Sequence, residues 1–289
     1  AHGLTARGGV HSEFTIFREA ADSYYLVSAG GFQRLDHDWL RRQLPRDGSV
    51  EMENLTTAMG VLVVAGPNSR ALLERVAGCD LSNAAFPWLT GKDTTIGLAP
   101  ARLLRVNFVG ELGWEIHHGI EYQNHIFDRL MAAGRDLGIA PFGMRAMDAM
   151  RIEKSYRMVG TELSIEYAAL ESGLDRFVRS EKGDFVGRDA LLAWKERGFA
   201  NAFATLEVRG HNDADPLGNN PIYLDGELVG RATSGAYGFR LGKSLALAMV
   251  RPELAVPGHE FAMDVLGTTC TATVVGESPF DPENTRLRA

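Results

Sequence analysis

Apolar and polar residues alternate in short runs over about the first 200 positions, which predicts strands and helices mixed along the chain. The segment EFTIFREAADSYYLVSA follows two glycines and a short polar stretch, and it predicts a hairpin whose first strand starts at Glu13. Residues 33–44 have apolar positions at helical spacing, and the predicted helix would present on one face Leu35, Trp39, Leu40 and Leu44. Two strands are predicted before the Gly66-Pro67 break, and then a helix that Asn68 or Ser69 can cap.

The next part of this region repeats the mixture of strands and helices. RVNFVGELGWEIHH predicts two strands on either side of Gly110, and YQNHIFDRLMAAGRDLG predicts the helix that follows. A further helix is predicted over residues 143–157, and the segment GRDALLAWKERG, residues 187–198, completes this region. Irregular alternation with hairpins between the strands is typical of an α+β fold with largely antiparallel sheets.

Beyond residue 200 the pattern changes to short β-rich runs separated by turn residues. The runs are FATLEVRGHN, PIYLDGELVGRATSGAYG, SLALAMVRPEL, HEFAMDVLG and CTATVVGES. This pattern predicts a small barrel or a sandwich. We therefore predict two domains, one over residues 1–200 and a C-terminal β domain over residues 201–289.

The composition narrows the choice of partners and compartment. With 45% hydrophobic and 23% charged residues over 289 positions, the chain is an ordinary globular protein. Its net charge of -7 argues against nucleic acid or an anionic membrane, so we expect a small molecule or another protein as partner. Cys79 and Cys270 stand apart from any metal-binding spacing, which indicates a reducing compartment. No apolar run reaches the ~20 residues that span a bilayer, so a cytoplasmic location, or the mitochondrial matrix in a eukaryote, is expected.

RVNFVGELGWEIHH contains the first candidate for chemistry. Glu115 follows Phe108, and the glycines between them would let a flat ligand approach the backbone. Glu115 alternates with Trp114, so one of the two faces the core. The alternative is an ordinary hairpin with a solvent-facing glutamate. His117 and His118 are adjacent and would point to opposite faces of a strand, which does not suit a metal site.

The helix MRAMDAMRIEKSYR contains the second candidate. Arg151 follows Asp148 by three residues, and a surface ion pair beside a methionine-rich core accounts for that spacing. The sequence contains no nucleophile elbow, dinucleotide-binding fingerprint or phosphate loop. Residue chemistry alone therefore leaves the function open.

Six stretches taken in order give a stronger indication than any one of them: GGVHSEFTI, LVVAGPNSRALL, NFVGELGWEI, MRAMDAMRIEKSYRMVG, DFVGRDAL and VGRATSGAYGFRLGKSLALAMV. Together they resemble the folate-binding aminomethyltransferase family, which includes the T-protein of the glycine cleavage system. The resemblance covers essentially the whole chain and is closest to the C-terminal, folate-binding halves of dimethylglycine and sarcosine dehydrogenases or oxidases. Members of the family carry roughly the first quarter of this module before GGV, so we expect the chain to be truncated at its N-terminus.

The resemblance implies a ring of three subdomains around a central hole that holds tetrahydrofolate. Glu13 corresponds to the catalytic acid after GGV, usually aspartate in relatives, which assists carbon transfer near the folate N10 nitrogen. Glu115 corresponds to the glutamate that binds the pterin through paired hydrogen bonds. Phe108 stands where a tyrosine is frequent and would stack on the ligand, and Arg151 is assigned to the same cofactor site.

By this resemblance, the chain transfers a carbon from dimethylglycine, sarcosine or a related amine to tetrahydrofolate and forms 5,10-methylenetetrahydrofolate. FAD would belong to a preceding domain or a separate subunit, absent from this chain. The first alternative is a stand-alone aminomethyltransferase or methyltransferase to tetrahydrofolate. The second is a non-catalytic folate-binding protein, but such relatives usually carry a reactive cysteine in a KGCYxGQE-like motif, where this sequence has RSEKGDFVGRDA.

Overall fold

The computed structural model describes residues 1–210 and 213–289, which divide into two compact units. The first unit consists of Ala1–Thr15 and Met144–Pro282, and the second consists of Ile16–Gly143 and Glu283–Ala289. Among the helices of the described residues, none combines the length and the apolar character needed to cross a membrane.

The described part of the chain contains fourteen strands and five α-helices. The strands are β1 (His2–Leu4), β2 (Val10–Glu13), β3 (Thr15–Arg18), β4 (Tyr24–Val27), β5 (Met59–Ala65), β6 (Gly91–Ile96), β7 (Ala99–Leu104), β8 (Gly113–Gly119), β9 (Ala202–Arg209), β10 (Pro221–Leu224), β11 (Glu227–Gly238), β12 (Lys243–Val250), β13 (Glu260–Val265) and β14 (Thr268–Val275). The helices are α1 (Gln33–Gln43), α2 (Ser69–Leu73), α3 (Gln123–Ala133), α4 (Met144–Glu153) and α5 (Arg188–Arg197).

An antiparallel sheet in the order β5-β8-β7-β6 forms the centre of the second unit. One face of this sheet contributes Trp114 and Ile116 to a buried core, which also contains Phe86 and two residues of α3, Ile126 and Leu130. The predicted hairpin is present as a separate two-stranded sheet of β3 and β4.

Two local predictions for the second unit are wrong. Between α1 and the Gly66-Pro67 break the structure has one strand, β5, where two were predicted. The side chain of Asn54 accepts the N–H of Thr56 at 3.0 Å and forms a turn in place of the other strand. Asn68 does occupy the N-cap position of α2, but neither Asn68 nor Ser69 caps the helix with a side-chain hydrogen bond. Ser69 Oγ instead donates to the carbonyl oxygen of Leu112 at 3.0 Å.

The buried face of helix α1 is centred on a residue that was not predicted to lie there. Asp36 is buried, whereas Leu35 of the predicted apolar face is 48% exposed. Trp39 and Leu40 are half-buried and share the face of Asp36, since they follow it by three and four residues. The buried face is therefore centred about 100° around the helix from Leu35.

Six antiparallel strands of the first unit close into a barrel in the order β10-β11-β12-β9-β14-β13. The buried apolar cluster of the barrel includes Leu206, Ile222, Ala232, Ala248 and Met263. The C-terminal β region is thus a barrel and not a sandwich, and the predicted α+β class with largely antiparallel sheets is confirmed. Residues 211 and 212, which end the run FATLEVRGHN, lie outside the described residues.

Helix α4 packs against the outside of this barrel, on β11 and β12. Ala149 and Ile152 of the helix form a buried cluster with Ala236, Leu245 and Leu247. The helix and the barrel therefore share a core within the first unit. The division of the chain into domains 1–200 and 201–289 stays a prediction.

Candidate functional site

Strand β8 carries Glu115 on the face of the central sheet opposite the core of the second unit. Its neighbours Trp114 and Ile116 are fully buried in that core, which confirms that Trp114 and Glu115 face opposite sides. Across the sheet, Glu115 is paired with Val63 of β5 and Leu104 of β7. The position of Glu115 is thus fixed by the register of β8 with β5 and β7.

The sheet face around Glu115 is open to solvent on the β5 side. Val61 and Val63 share this face and are 44% and 41% exposed. The Glu115 side chain itself is 23% exposed, so it is neither part of the core nor a freely solvated glutamate. A half-buried carboxylate beside exposed valines suits a ligand with a flat apolar ring and a polar edge.

Two side chains that the sequence did not indicate follow from the carboxylate of Glu115: His117 contacts it, and Tyr25 contacts His117. His117 Nε2 lies 3.0 Å from Glu115 Oε2, and Tyr25 Oη lies 3.1 Å from His117 Nδ1. The rings of Tyr25 and His117 meet edge to face, with centroids 5.5 Å apart. The alternation of the strand could have pointed to His117, whereas Tyr25 is 92 residues away from it and left no signal. We call these three residues the Glu115 network.

Arg102 covers the Tyr25 side of the Glu115 network. Its guanidinium lies 4.9 Å from the ring centroids of Phe17 and Tyr25 and pairs with Glu19 and Asp93 at 2.5 and 2.7 Å. Burial raises the pKa of Tyr25; Arg102 opposes this effect, and the nearby carboxylates add to it. The phenol therefore keeps its proton at neutral pH and can donate a hydrogen bond.

Phe108 lies in the loop between β7 and β8 and not in a strand. The side chain of Asn107 shapes this loop: Oδ1 accepts the N–H groups of Val109 and Gly110 at 3.0 and 3.2 Å, and Nδ2 donates to the carbonyl of Glu111 at 2.7 Å. Gly110 has a φ of +72°, a conformation that favours glycine. Phe108 is half-buried, and its stacking on a ligand stays a prediction.

Gly113 has a structural role that differs from the expected one. A Cβ atom at Gly113 would lie 2.7 Å from the carbonyl oxygen of Val64 in β5. The missing side chain is therefore needed for the pairing of β8 with β5. The approach of a ligand to the backbone at Gly113 stays a prediction.

Glu13 ends strand β2, so the prediction that it begins a strand is wrong. The reason is a strand that the sequence did not reveal: β1 pairs with β2 and places His2 opposite Glu13. His2 Nε2 lies 3.6 Å from Glu13 Oε1, and the Glu13 side chain is 46% exposed. Glu13 thus has a solvent-accessible carboxylate next to a histidine, and its catalytic role stays a prediction.

Arg151 is fully buried, so the expected surface ion pair with Asp148 is wrong as to its surroundings. Its Nε does donate to Asp148 Oδ1 at 2.7 Å, but Nη1 donates to Glu162 Oε2 at 2.9 Å and to the carbonyl of Tyr156 at 3.0 Å. Glu162 lies beyond the helix, where helical spacing could not reveal it. Within the described residues, Nη2 of Arg151 is buried without a hydrogen-bond partner. The assignment of Arg151 to the cofactor site stays a prediction.

Glu162 is the fully buried centre of a polar cluster in the first unit. Its Oε2 accepts from Arg151 at 2.9 Å and from Thr161 at 2.7 Å, while Oε1 accepts from the hydroxyls of Thr233, at 2.5 Å, and Ser234. Burial alone would raise the pKa of Glu162, but Arg151 and the three hydroxyl donors outweigh it and lower the pKa. This cluster stabilises the loop after α4 against the barrel.

We expect Glu162→Gln to destabilise the protein at neutral pH by about 1–2 kcal/mol, because Arg151 loses its buried counter-charge. The lowered pKa means that the wild-type carboxylate contributes stability above the unfolded pKa of about 4.3, and that this contribution disappears as the pH falls through the folded value. Urea unfolding between neutral and acid pH should therefore show a shallower loss of stability in the variant. If stability fell equally with pH in the wild type and in Glu162→Gln, this prediction would be contradicted. Glu196→Gln, which changes an exposed residue of α5, is the control and should behave like the wild type.

His117 and His118 lie on opposite faces of β8, as their adjacency indicates. His118 is buried on the core side, with its Nε2 2.8 Å from Gln123 Oε1. Across residues 1–210 and 213–289, no group of three or more His, Cys, Asp or Glu side chains is arranged to hold a metal ion.

Two family models match the chain. The GCVT N-terminal domain matches residues 1–182, and the glycine cleavage T-protein C-terminal barrel domain matches residues 202–281. The crystal structure of the glycine cleavage system aminomethyltransferase T from Bartonella henselae has the same fold, with a TM-score of 0.83 at 20% identity. The match covers 97% of this chain and 75% of that one.

Curated relatives are of two lengths. Mitochondrial dimethylglycine dehydrogenase of Mus musculus is 37% identical over 100% of this chain, which spans 33% of that protein. An aminomethyltransferase of Halothermothrix orenii is 30% identical over 94% of this chain and 74% of its own length. The chain thus spans about a third of the dehydrogenase and most of the aminomethyltransferase. From its two domain matches, its fold and these relatives, the chain belongs to the glycine cleavage T-protein family.

Proposed function

We propose that the chain is the tetrahydrofolate-dependent one-carbon transfer module of a flavin-dependent demethylating enzyme. In this proposal, a carbon oxidised from dimethylglycine or sarcosine is passed to tetrahydrofolate, and 5,10-methylenetetrahydrofolate is formed. Membership of the glycine cleavage T-protein family supports the folate part of the proposal. The structural observation that carries it is the Glu115 carboxylate, half-buried on an open sheet face with one oxygen held by His117.

The residues around Glu115 suit the pterin ring of tetrahydrofolate. Within the described residues, Oε2 of Glu115 takes part in one hydrogen bond and Oε1 in none, so both oxygens have lone pairs available to a ligand. The aminopyrimidinone edge of a pterin presents two neighbouring N–H donors, which one carboxylate can accept in parallel. Val61 and Val63 offer apolar surface beside this carboxylate, and Phe108 would add an aromatic face.

Glu13 is the residue that we assign to the transfer step. Tetrahydrofolate supplies the nucleophilic nitrogen in this reaction. The accessible carboxylate of Glu13 would act either as a general base for a proton of that nitrogen or as a fixed negative charge that stabilises a cationic carbon unit. His2, which faces Glu13 across the β1–β2 pair, would orient this carboxylate.

We assign the oxidation step to a flavin-bearing domain or subunit outside the 289 residues, which contain no dinucleotide-binding fingerprint. The likeness to dimethylglycine dehydrogenase over the whole chain supports this assignment and a methylated glycine as the substrate. An iminium carbon hydrolyses to formaldehyde in water, so a site that excludes water favours its capture by the folate.

A stand-alone aminomethyltransferase is the second candidate function. It is favoured by the Halothermothrix orenii relative, of which the chain covers 74%. The two candidates differ in the carbon donor: the first requires a flavin-oxidised amine, and the second requires an aminomethyl group carried by a partner protein. Both assign the same roles to Glu13 and Glu115.

Isothermal titration calorimetry with tetrahydrofolate, NADH and ATP tests the folate assignment. We expect binding of tetrahydrofolate alone, since the sequence contains neither a dinucleotide fingerprint nor a phosphate loop. Absence of tetrahydrofolate binding, or equal binding of a nucleotide, would contradict the proposal. Glu121→Ala, on the surface after β8, is the matched control for substitutions at Glu115.

Phe108 and Trp114 should respond differently to substitution. Trp114 packs edge to face on Phe86, with centroids 6.3 Å apart, so Trp114→Phe should lower stability by about 1–3 kcal/mol without changing folate affinity. Phe108→Ala should weaken folate binding by about 0.5–1.5 kcal/mol, the scale of one stacked aromatic pair, with a smaller loss of stability. Thermal melts and calorimetry separate the two effects. The reverse pattern would show that the ligand lies on the Trp114 side of the sheet.

A further inference from the structure

The hydrogen bonds of the Glu115 network determine where its protons must lie. His117 is fully buried, and both of its ring nitrogens have partners: Nε2 faces Glu115 Oε2 at 3.0 Å, and Nδ1 faces Tyr25 Oη at 3.1 Å. A carboxylate oxygen can only accept a hydrogen bond, so the first contact requires a proton on Nε2. The partner of Nδ1 then decides whether the ring is neutral or cationic.

The Tyr25 hydroxyl is placed to donate to Nδ1 of a neutral ring. In a neutral ring with a proton on Nε2, Nδ1 has a lone pair and accepts the Tyr25 hydroxyl proton. Burial of Tyr25 also raises its pKa, so the phenol retains the proton that it must donate.

We propose that Tyr25 and His117 are positioning residues that make Glu115 an oriented, acceptor-only group. Tyr25 donates to His117 Nδ1 and so fixes the Nε2–H tautomer of the neutral ring. His117 in turn donates to Glu115 Oε2, which anchors the carboxylate and leaves Oε1 and the second lone pair of Oε2 for the ligand. Neither residue needs to touch the ligand itself.

This arrangement has a consequence for ligand selection. An acceptor-only carboxylate binds a ligand edge that has two N–H donors. It repels an edge that has a carbonyl oxygen, because the lone pairs of the two acceptors would face each other. A 2-amino-4-oxo ring is therefore selected over its 2,4-dioxo analogue. The inference rests on the proposed function for the identity of the ligand, but not for the positions of the protons.

Nuclear magnetic resonance of the ¹⁵N-histidine-labelled chain tests the proton positions without a ligand. The His117 signals are identified as those lost in His117→Gln. We expect a protonated Nε2 and an unprotonated Nδ1 in the wild type at neutral pH, and a mixture of tautomers in Tyr25→Phe. The neighbouring Tyr24→Phe, at a 52% exposed ring, should leave the pattern unchanged. A protonated Nδ1 in the wild type, in a neutral or a cationic ring, would overturn the proposal.

Competition calorimetry tests the effect on the ligand, with tetrahydropterin and its 2,4-dioxo analogue tetrahydrolumazine as probes. We expect Tyr25→Phe to weaken tetrahydropterin binding by about 5- to 10-fold, as for one lost hydrogen bond. His117→Leu should weaken it by about 30-fold and reduce the preference over tetrahydrolumazine. His117→Gln should rescue most of the loss, because its amide nitrogen can replace Nε2 as donor and its oxygen can accept from Tyr25. Equal losses in the Gln and Leu variants would overturn the positioning role.

Failure of this inference and failure of the proposed function give different results. If the wild type has the Nε2–H tautomer but binds no tetrahydropterin, the proton order holds and the folate assignment is wrong. If tetrahydropterin binds with a protonated Nδ1, the folate assignment holds and the positioning role is wrong. Thermal melts of each variant show whether a loss of binding reflects a loss of folding.

Discussion

The variant Glu13→Gln should slow transfer of the one-carbon unit to tetrahydrofolate by about 10- to 1000-fold, the range for losing a positioned acid-base or charge-stabilising group. Folate affinity should stay nearly unchanged, because the amide preserves the size and polarity of the side chain. Glu13 is 46% exposed at the end of β2, so the substitution should also leave stability nearly unchanged. A single-turnover assay with the flavin-bearing protein should therefore show free formaldehyde in place of methylenetetrahydrofolate.

Two further variants make the Glu13 prediction specific. Glu13→Asp shortens the side chain by one methylene and should retain part of the transfer rate if the carboxylate still reaches the folate. Glu196→Gln, which changes an exposed glutamate of α5 in the same unit, should transfer at the wild-type rate. A wild-type ratio of methylenetetrahydrofolate to formaldehyde in Glu13→Gln would exclude Glu13 as the catalytic residue.

The variant Glu115→Ala should weaken tetrahydrofolate binding by about 2 to 3 kcal/mol, the scale of charge-assisted hydrogen bonds. It removes the acceptor for two N–H groups and leaves His117 Nε2 without a partner. Glu115→Gln should lose nearly as much affinity, because an amide offers one acceptor and places its donor against a ligand donor. Calorimetry on the two variants measures these losses directly.

The control for Glu115 is Glu121→Ala, since Glu121 is exposed and lies just beyond β8. It should bind tetrahydrofolate as tightly as the wild type. Unchanged affinity in Glu115→Ala would show that the open face of the central sheet does not bind the pterin. A parallel loss in both variants would instead indicate a general effect of charge.

Much of the fold could be predicted from sequence, because strands, turns and helices are each specified by residues that are close together in the chain. The barrel strands follow from short β-rich runs with turn residues between them, and α3 and α4 follow from segments of helical character. The alternation of β8 was sufficient to place Trp114 and Glu115 on opposite faces. Helix α1 shows the limit of such patterns, because its inward face is centred on Asp36 and not on the apolar stripe.

The partners of the candidate residues could not be predicted, because they depend on contacts between distant segments. The sequence predicted a surface ion pair of Arg151 with Asp148. The structure shows that Arg151 is paired with the buried Glu162, which lies outside the helix. Tyr25 reaches His117 only because the β3–β4 hairpin and the central sheet bring residues 92 positions apart together. Local spacing identifies a candidate carboxylate such as Glu115, whereas the side chains that orient it require the structure.

Following the methyl carbon of the amine substrate tests the proposed function most directly. Dimethylglycine or sarcosine with a ¹³C-labelled N-methyl group would react in a single turnover with the intact flavin-bearing protein, with and without tetrahydrofolate. We predict that the label enters 5,10-methylenetetrahydrofolate when tetrahydrofolate is present and free formaldehyde when it is absent. Formation of labelled formaldehyde in equal amount under both conditions would contradict a role of this chain in folate-dependent carbon transfer.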